Sequence, residues 1–213
     1  MKNLRVLYTG GSGRLGIELQ KITDNMGWNF PSHQGMDITD IDSIWKDFKF
    51  DLIVHGAAYT DVAGAEKEKE LCKEINVHGT KNLLDFFPGI PFVYVSSEYA
   101  NKPVNYYSIT KLMAEQVVEK SKRPYLIIRT LFKPRPYPYN RAFVDQWTQG
   151  DYVDVIAPLI IKSIYNWNMK TCMTEYVGTG RKTVYDLAVQ TRPDVKKAHV
   201  RDVTTVRLPK DYV

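Results

Sequence analysis

Three glycines, at positions 10, 13 and 16, restrict the fold of this chain more than any other feature. They directly follow the apolar run 4–9, and an amphipathic run begins where they end. A strand that passes through such a loop into a helix leaves the N–H groups of the helix N-terminus exposed. These groups attract an anion, and glycines let it approach the backbone closely. The loop therefore predicts a strand–loop–helix unit that binds a phosphate group.

Short apolar runs alternate with longer amphipathic runs through the first 130 residues. We predict strands near 4–9, 27–31, 51–55, 91–96 and 125–130, and helices near 14–26, 40–48, 66–87 and 105–121. This alternation is typical of βαβ units, whose right-handed crossovers place helices on both faces of a parallel sheet. We therefore predict an α/β fold with a doubly wound parallel sheet of the Rossmann type.

The regular alternation of apolar and amphipathic runs ends after residue 131. Residues 132–139 are rich in proline, aromatic and basic residues, which predicts a loop at the carboxyl end of a strand, where open sheets bind ligands. The apolar runs of 151–173 fit either a strand or a helix, whereas residues 175–189 indicate a strand, a turn and a capped helix. We predict a core domain of residues 1–131 and an abbreviated substrate-binding region of residues 132–213, of which 175–192 returns to the core.

Composition excludes several classes of protein. Of 213 residues, 44% are apolar and 25% are charged, as in ordinary globular proteins. Two cysteines and four scattered histidines predict neither a disulfide framework nor a bound metal. A net charge of +5 with interspersed acids gives no reason to expect nucleic acid binding. No apolar stretch approaches about 18 residues, so we expect no membrane contact and a cytoplasmic location.

Tyr107 and Lys111 are the strongest candidates for chemistry. Four residues apart in the predicted helix 105–121, they lie on one face. A tyrosine with a pKa of about 10 transfers protons poorly at neutral pH unless a nearby cation stabilises the phenolate. Lys111 supplies that cation. We interpret the two residues as a proton-transfer pair, the alternative being an ordinary surface pair.

The spacing of Gly10, Gly13 and Gly16 resembles the glycine loop of the extended short-chain dehydrogenase/reductase family. Three later segments resemble that family in the same order: residues 37–40 its adenine-contacting segment, 56–62 the loop after its third strand, and 75–80 its central helix. Tyr107 and Lys111 also fall where the family has its catalytic pair, and the resemblance covers residues 4–131. It implies an NAD(P)-dependent oxidoreductase.

The resemblance also implies roles for individual residues. Tyr107 protonates a carbonyl oxygen as hydride arrives at carbon, and Lys111 also holds the nicotinamide ribose. The third catalytic residue is a hydroxyl at the end of the fourth strand, where it hydrogen-bonds the carbonyl. Similarity to the dTDP-4-dehydrorhamnose reductase branch places Ser97 there, with Ser96 as the alternative.

The expected cofactor is NADP(H), with NAD(H) also accepted. Besides Lys111, the resemblance implies cofactor contacts at Gly10, Ser12, Gly13, Arg14, Leu15, Gly16, Ser32, His33, Asp37, Ile38, Ala57, Ala58 and Tyr59. Ser32 and His33 follow the second strand, where an acid would bind the 2′-hydroxyl of NAD and repel a 2′-phosphate. Arg14 either adds a cationic contact to the 2′-phosphate or is an ordinary surface residue.

Glu98 and Tyr99 distinguish sister reactions within the family. Its sugar-nucleotide dehydratases carry two acids after the catalytic hydroxyl, whereas here Tyr99 takes the second place. This favours reduction of a keto group on a nucleotide-activated sugar, as in dTDP-4-dehydrorhamnose reductases. Besides Glu98 and Tyr99, the candidate substrate contacts are Lys133, Arg135 and Arg141, whose charges fit a nucleotide diphosphate or are simply solvated.

Only nine residues separate Ser97 from Tyr107, which is shorter than the family usually has. This leaves a smaller ketone as a rival substrate. Two other functions stay open. One is a nucleotide-sugar epimerase, which would keep its cofactor bound, and the other is a non-catalytic, dinucleotide-binding regulatory subunit. The resemblance also leads us to expect a homodimer.

Overall fold

A computed structural model describes residues 4–45 and 49–211 of the chain. Its strands are β1 Val6–Thr9, β2 Trp28–Asn29, β3 Leu52–His55, β4 Phe92–Ser97, β5 Tyr125–Thr130, β6 Phe132–Lys133, β7 Arg141–Phe143, β8 Trp147–Thr148, β9 Asp151–Tyr152, β10 Cys172–Tyr176, β11 Lys182–Thr183 and β12 Lys196–Ala198. Its α-helices are α1 Arg14–Ile22, α2 Lys69–Lys73, α3 Gly79–Phe86, α4 Tyr106–Lys120, α5 Val153–Asn166, α6 Val184–Ala188 and α7 Val200–Val203. No helix within the described ranges has both the length and the apolar character of a membrane span.

Six parallel strands form the main sheet, in the order β10-β5-β4-β3-β1-β2. The order reverses beside β1, because β2 lies on one side of it and β3 on the other. Both β1 and β3 are completely buried, as expected for strands covered on two faces. The predicted α/β class with a doubly wound parallel sheet is confirmed. Such sheets bind ligands at their carboxyl edge, next to the reversal of strand order.

Helices cover the sheet on both faces. On one face α1 and α5 pack against it, with Leu19 and Ile160 fully buried in the apolar layer between them. On the other face α3 and α4 contribute Leu83 and Val118 to a second apolar layer. The sheet is therefore held between two helical layers, and its carboxyl edge faces the loops.

All five predicted strands are present, and the predicted helix 105–121 corresponds to α4. The predicted helix 14–26 ends earlier, at Ile22, because Asn25 and Gly27 take positive φ angles of 60° and 77° and turn the chain back toward β2. Of the predicted helix 40–48, the structure has a 3-10 turn at Ile41–Ser43, and residues 46–48 lie outside the described residues.

The predicted helix 66–87 is divided. A 3-10 turn, Gly64–Glu66, precedes α2, and a π-helical segment, Glu74–His78, joins α2 to α3. Segments of this kind are rare and often occur at functional sites. Here the π segment lies against α4, the helix that carries Tyr107 and Lys111.

Beyond residue 131 the chain forms short strand pairs and then rejoins the sheet. The ambiguous residues 151–173 contain β9 and the long helix α5, and β10 pairs with β5 as the sixth strand. The strand, turn and capped helix predicted after residue 175 are confirmed, since Thr183 forms a capping box with Asp186 at the start of α6. The division into residues 1–131 and 132–213 stays a prediction.

Candidate active site

A cleft of about 870 Å³ lies at the carboxyl edge of the sheet, where β1, β3, β4 and β5 end. Most of the residues predicted to act in catalysis or binding line it: Gly10, Ser12, Gly13, Arg14, Leu15, Gly16, His33, Asp37, Ile38, Ala57, Ala58, Ser97, Tyr99, Tyr107, Lys111 and Lys133. These residues come from six separate segments of the chain. The fold therefore gathers the predicted site residues into one cavity.

The glycine loop forms one wall of the cleft through close backbone approaches. Gly10 has a φ of +85°, and a Cβ atom there would lie 2.8 Å from the backbone nitrogen of Ala57. A Cβ on Gly16 would lie 2.6 Å from the carbonyl oxygens of Gly10 and Gly11. The N-cap of α1, Gly13, makes no side-chain capping bond. The first N–H groups of α1 are thus available to an anion in the cleft.

Helix α4 carries Tyr107 and Lys111, the predicted proton-transfer pair, and its start is firmly fixed. Asn105 forms a capping box with Ser108, and the Glu66 carboxylate accepts a 2.7 Å hydrogen bond from the Tyr106 N–H. A carboxylate at a helix N-terminus is favoured by the helix dipole as well as by this bond. Tyr107, in the first turn, is thereby held at the cleft.

Tyr107 meets Ser97 at the end of β4. Burial raises the pKa of Tyr107 to about 12, although a hydrogen bond with Ser97 acts in the opposite direction. The phenol therefore keeps its proton at neutral pH, as a proton donor to a substrate must. The alternative hydroxyl, Ser96, donates instead to Glu115, with an O–O distance of 2.5 Å. The geometry favours Ser97 as the partner of Tyr107.

Lys111 lines the cleft but is almost completely buried. Its Nζ donates to the carbonyl oxygen of Val95 at 2.9 Å and lies 4.2 Å from the ring centroid of Tyr94. Burial lowers the pKa of Lys111 to about 7, while the nearby Glu115 carboxylate partly offsets this. Glu115 is itself buried and paired with the Arg129 guanidinium at 2.7 Å. The lysine is thus oriented by fixed partners on two sides.

Two buried polar residues that the sequence analysis did not single out support the site. The Asn76 side chain accepts from the Tyr59 N–H at 2.8 Å and donates to the Thr110 hydroxyl at 2.9 Å, which joins the loop after β3 to α4. His55 lies between two threonine hydroxyls, and burial together with the charge of Lys111 lowers the pKa of His55 to about 3. Asn76 falls within the segment 75–80 that resembles the central helix of the family, and His55 was recognisable only as a polar residue at the end of an apolar run.

Five predicted site residues are not part of the cleft lining: Ser32, Tyr59, Glu98, Arg135 and Arg141. The Tyr59 hydroxyl donates to Glu68, and the Ser32 hydroxyl accepts from the Gly35 N–H in a turn. Arg141 is exposed in β7.

Arg135 and Glu98 each have a partner elsewhere. The Arg135 guanidinium pairs with Asp154 at 2.9 Å and lies 4.2 Å from the Tyr152 ring centroid. Glu98 is 1% exposed, and its carboxyl accepts from the Thr148 hydroxyl at 2.6 Å and from the Gln149 N–H at 3.1 Å. Burial raises the pKa of Glu98 to about 7. Its neighbour Tyr99 does line the cleft, where its hydroxyl accepts from Gln146 at 2.9 Å.

No group of three or more histidine, cysteine, aspartate or glutamate side chains in the described part of the chain could hold a metal ion. The polar groups of the cleft are instead hydroxyls, backbone N–H groups, cations and the Asp37 and Asp61 carboxylates. This set suits a ligand that carries phosphates and a carbonyl.

Residues 4–160 match the model of a protein family described as the RmlD substrate binding domain. A dTDP-4-dehydrorhamnose reductase of Mycolicibacterium smegmatis is 26% identical over 200 residues, which cover 83% of this chain and 61% of that protein. The methionine adenosyltransferase 2 subunit beta of Xenopus tropicalis is 24% identical over 258 residues, which cover 94% of this chain and 75% of that protein. The chain thus spans three-quarters or less of the length of either relative.

Among solved structures, the dTDP-4-dehydrorhamnose reductase from Bacillus anthracis in complex with NADP has a TM-score of 0.85 and 25% identity to this chain. The match covers 100% of this chain and 90% of that one. The overall fold therefore has a counterpart in a solved structure that was determined with NADP.

Proposed function

Because the chain belongs to the RmlD substrate binding domain family, we propose that it is an NAD(P)H-dependent oxidoreductase that reduces a keto group on a nucleotide-activated sugar. The observation that carries this proposal is the meeting of Ser97, Tyr107 and Lys111 in one cleft with the glycine loop. Each residue alone has an ordinary structural explanation. Together they form the donor set that carbonyl reduction requires.

The glycine wall fits a dinucleotide. A Cβ atom at Gly10 or Gly16 would clash with the backbone of neighbouring residues, so the tight course of this loop requires glycine at both positions. The uncapped N-terminus of α1, which the loop leads into, offers N–H donors to the oxygens of a pyrophosphate. When bound, the reduced cofactor supplies the hydride. Lys111 is the residue that would hold its nicotinamide ribose, and His33, Asp37 and Ile38 line the same cleft.

Tyr107 and Ser97 act on the substrate carbonyl in this proposal. Two hydroxyls that converge on one oxygen polarise the carbonyl and stabilise the negative charge that develops on it. Tyr107 then gives its proton to that oxygen, and the high pKa caused by burial keeps the proton available at neutral pH. Lys111 beside it favours the phenolate that remains, because a nearby cation stabilises that charge.

Glu98 supports reduction rather than dehydration. Its carboxyl faces Thr148 and Gln149 instead of the cleft, and the next residue, Tyr99, has no acid to remove a proton from a sugar. Tyr99, which lines the cleft, is the residue we expect to contact a nucleotide sugar. Among the substrates considered, a nucleotide-diphosphate 4-keto-6-deoxy sugar fits best, and the rival is a smaller ketone.

NADPH is the cofactor we expect to be preferred. No acid occurs in residues 30–36, directly after β2, and His33, which lines the cleft, is the residue we expect to face a 2′-phosphate. The related Bacillus anthracis reductase is described in complex with NADP. Titration of the protein with NADPH and NADH side by side tests this expectation, and clearly tighter binding of NADH would contradict it.

The central experiment follows NADPH absorbance with dTDP- and UDP-4-keto-6-deoxyglucose, with the unlinked sugar and with small ketones. We expect turnover of a nucleotide sugar by the wild type, and its loss in Tyr107→Phe. Tyr106→Phe is the matched control, because Tyr106 precedes Tyr107 on α4 and does not line the cleft. Turnover of small ketones alone would overturn the sugar assignment.

Two further outcomes correspond to the alternatives. Cofactor that stays bound through purification, together with interconversion of two sugars, would indicate an epimerase. Dinucleotide binding without turnover of any ketone would indicate the non-catalytic subunit. A homodimer and a cytoplasmic location stay predictions, which sedimentation and cell fractionation test.

A further inference from the structure

Lys133 is a cation that the described residues leave without an anionic partner. It is half-buried in the cleft wall, in β6, immediately after the main-sheet strand β5. Across residues 4–45 and 49–211, the one specific contact of its ammonium group is the Tyr139 ring, with 5.9 Å between Nζ and the ring centroid. This lysine is not a fully solvated surface charge. Its partial burial removes water from the ammonium group, and no ion pair offsets that cost.

The backbone around Lys133 is held in place. β6 pairs with β9, and Phe132 packs against the apolar layer beneath the sheet. Two residues later, Arg135 forms an ion pair with Asp154 of α5, which holds the segment that follows Lys133 against that helix. Lys133 therefore points into the cleft because its neighbours on both sides are anchored elsewhere.

Arg14 lines the same cleft as Lys133, and helix α5 contacts both α1, which carries Arg14, and β6, which carries Lys133. Arg14 is the first residue of α1. Burial lowers the pKa of Lys133, and the positive charge of Arg14 acts in the same direction. Two like charges in one cleft repel each other, and an anion between them would remove that repulsion.

We propose that Lys133 and Arg14 form a clamp for a diphosphate, and that this diphosphate belongs to the dinucleotide cofactor. The inference rests on the proposed function, which it extends by one cofactor-binding residue outside the glycine loop. Arg14 adjoins the uncapped N-terminus of α1, where a dinucleotide pyrophosphate would lie. A nucleotide-sugar diphosphate is the other source of the same chemistry. Arg135 and Arg141, the other cations that could have held it, do not line the cleft.

Calorimetric titration of the wild type, Lys133→Met and Arg14→Met with NADPH, ADP, adenosine and dTDP tests the clamp. We expect Lys133→Met and Arg14→Met each to weaken NADPH and ADP binding by on the order of ten- to a hundredfold, as for loss of a hydrogen bond to a charged group. Adenosine and dTDP binding should not change. Lys133→Arg should retain most of the affinity, and Lys162→Met, which removes an exposed charge from α5, should retain all of it.

Salt dependence provides a second measurement, because each lost cation–phosphate contact lowers the dependence of NADPH affinity on ionic strength. Weakened dTDP binding with unchanged ADP binding would assign the clamp to the substrate and overturn the proposal. Unchanged binding of every ligand to Lys133→Met would overturn it as well. Either result can occur while the wild type still reduces nucleotide sugars. The converse outcome is a wild type that shows no turnover of nucleotide sugars while Lys133→Met still loses ADP binding. That combination would support the clamp and refute only the proposed function.

Discussion

Replacing Glu98 by glutamine should change how the stability of the protein depends on pH. The Glu98 carboxyl is buried, and its pKa rises from 4.5 to about 7, chiefly because burial disfavours the charged form. An acid whose pKa is higher in the folded than in the unfolded chain binds its proton more tightly when folded. The contribution of the Glu98 carboxyl to the free energy of unfolding is therefore fully present below pH 4.5 and is lost as the pH rises through about 7. The difference between the two pKa values corresponds to about 3 kcal/mol.

Glutamine is close in shape and cannot ionise. Its oxygen can still accept from the Gln149 N–H, and the Thr148 hydroxyl can accept from its amide. Urea unfolding of both proteins at about pH 5 and about pH 8 gives the free energies of unfolding. From about pH 5 to about pH 8, we expect the free energy of unfolding of the wild type to fall by about 2 to 3 kcal/mol relative to that of Glu98→Gln.

The comparison with the variant removes the contribution of other titrating groups. His55, whose pKa is lowered to about 3 by burial and by Lys111, favours the folded state above the unfolded histidine pKa and loses that effect as the pH falls, equally in both proteins. Glu119→Gln, at an exposed position on α4, is the matched control and should follow the wild type. Parallel pH profiles for the wild type and Glu98→Gln would refute the argument.

Three other predictions concern the site. Tyr107→Phe should lower kcat by about 10²–10⁴-fold and leave the Kd for NADPH unchanged, whereas Lys111→Met should damage both; full activity of Tyr107→Phe would contradict the assignment. Gly16→Ala should abolish NADPH binding measured by calorimetry, since its Cβ would lie 2.6 Å from two carbonyl oxygens, whereas Gly35→Ala, with no atom within 3.4 Å, should bind normally. Arg129→Met should cost about 3–5 kcal/mol in urea unfolding, because it leaves the buried Glu115 carboxylate unpaired; a loss below about 1 kcal/mol would show that Glu115 protonates or finds water.

The sequence predicted the parts of the fold that depend on local pattern. The strands β1, β3, β4 and β5 were recognisable because they are short apolar runs between longer amphipathic ones, and burial within the sheet is what makes them apolar. Tyr107 and Lys111 were identified because four-residue spacing on a helix puts two side chains together wherever the helix lies. The glycine loop was recognisable for a similar reason, since its geometry is determined within seven residues.

Other features depend on partners that are distant in sequence. β10 has no continuous apolar run because it is the edge strand and most of its residues are exposed. Helix α5 is apolar on most sides and contains Pro158, which normally disfavours a helix interior, so its pattern fitted neither element clearly. The pairing of Arg135 with Asp154, and the presence of Lys133 in the same cleft as Arg14, depend on where residues 132–139 lie in the complete fold. No local spacing predicts such contacts.

The cleft draws its lining from residues as far apart as Tyr8 and Tyr139, and every strand from β1 to β6 except β2 ends at it or contributes to it. No fragment of the chain can present this surface, so a molecule that fills it binds the complete fold and not the unfolded chain. At a concentration one hundred times its Kd, such a molecule adds about 2.7 kcal/mol to the free energy of unfolding. The concentration of dinucleotide in a cell would then affect the fraction of the protein that is unfolded and open to proteolysis. We expect a shortage of the dinucleotide to lower the abundance of the protein.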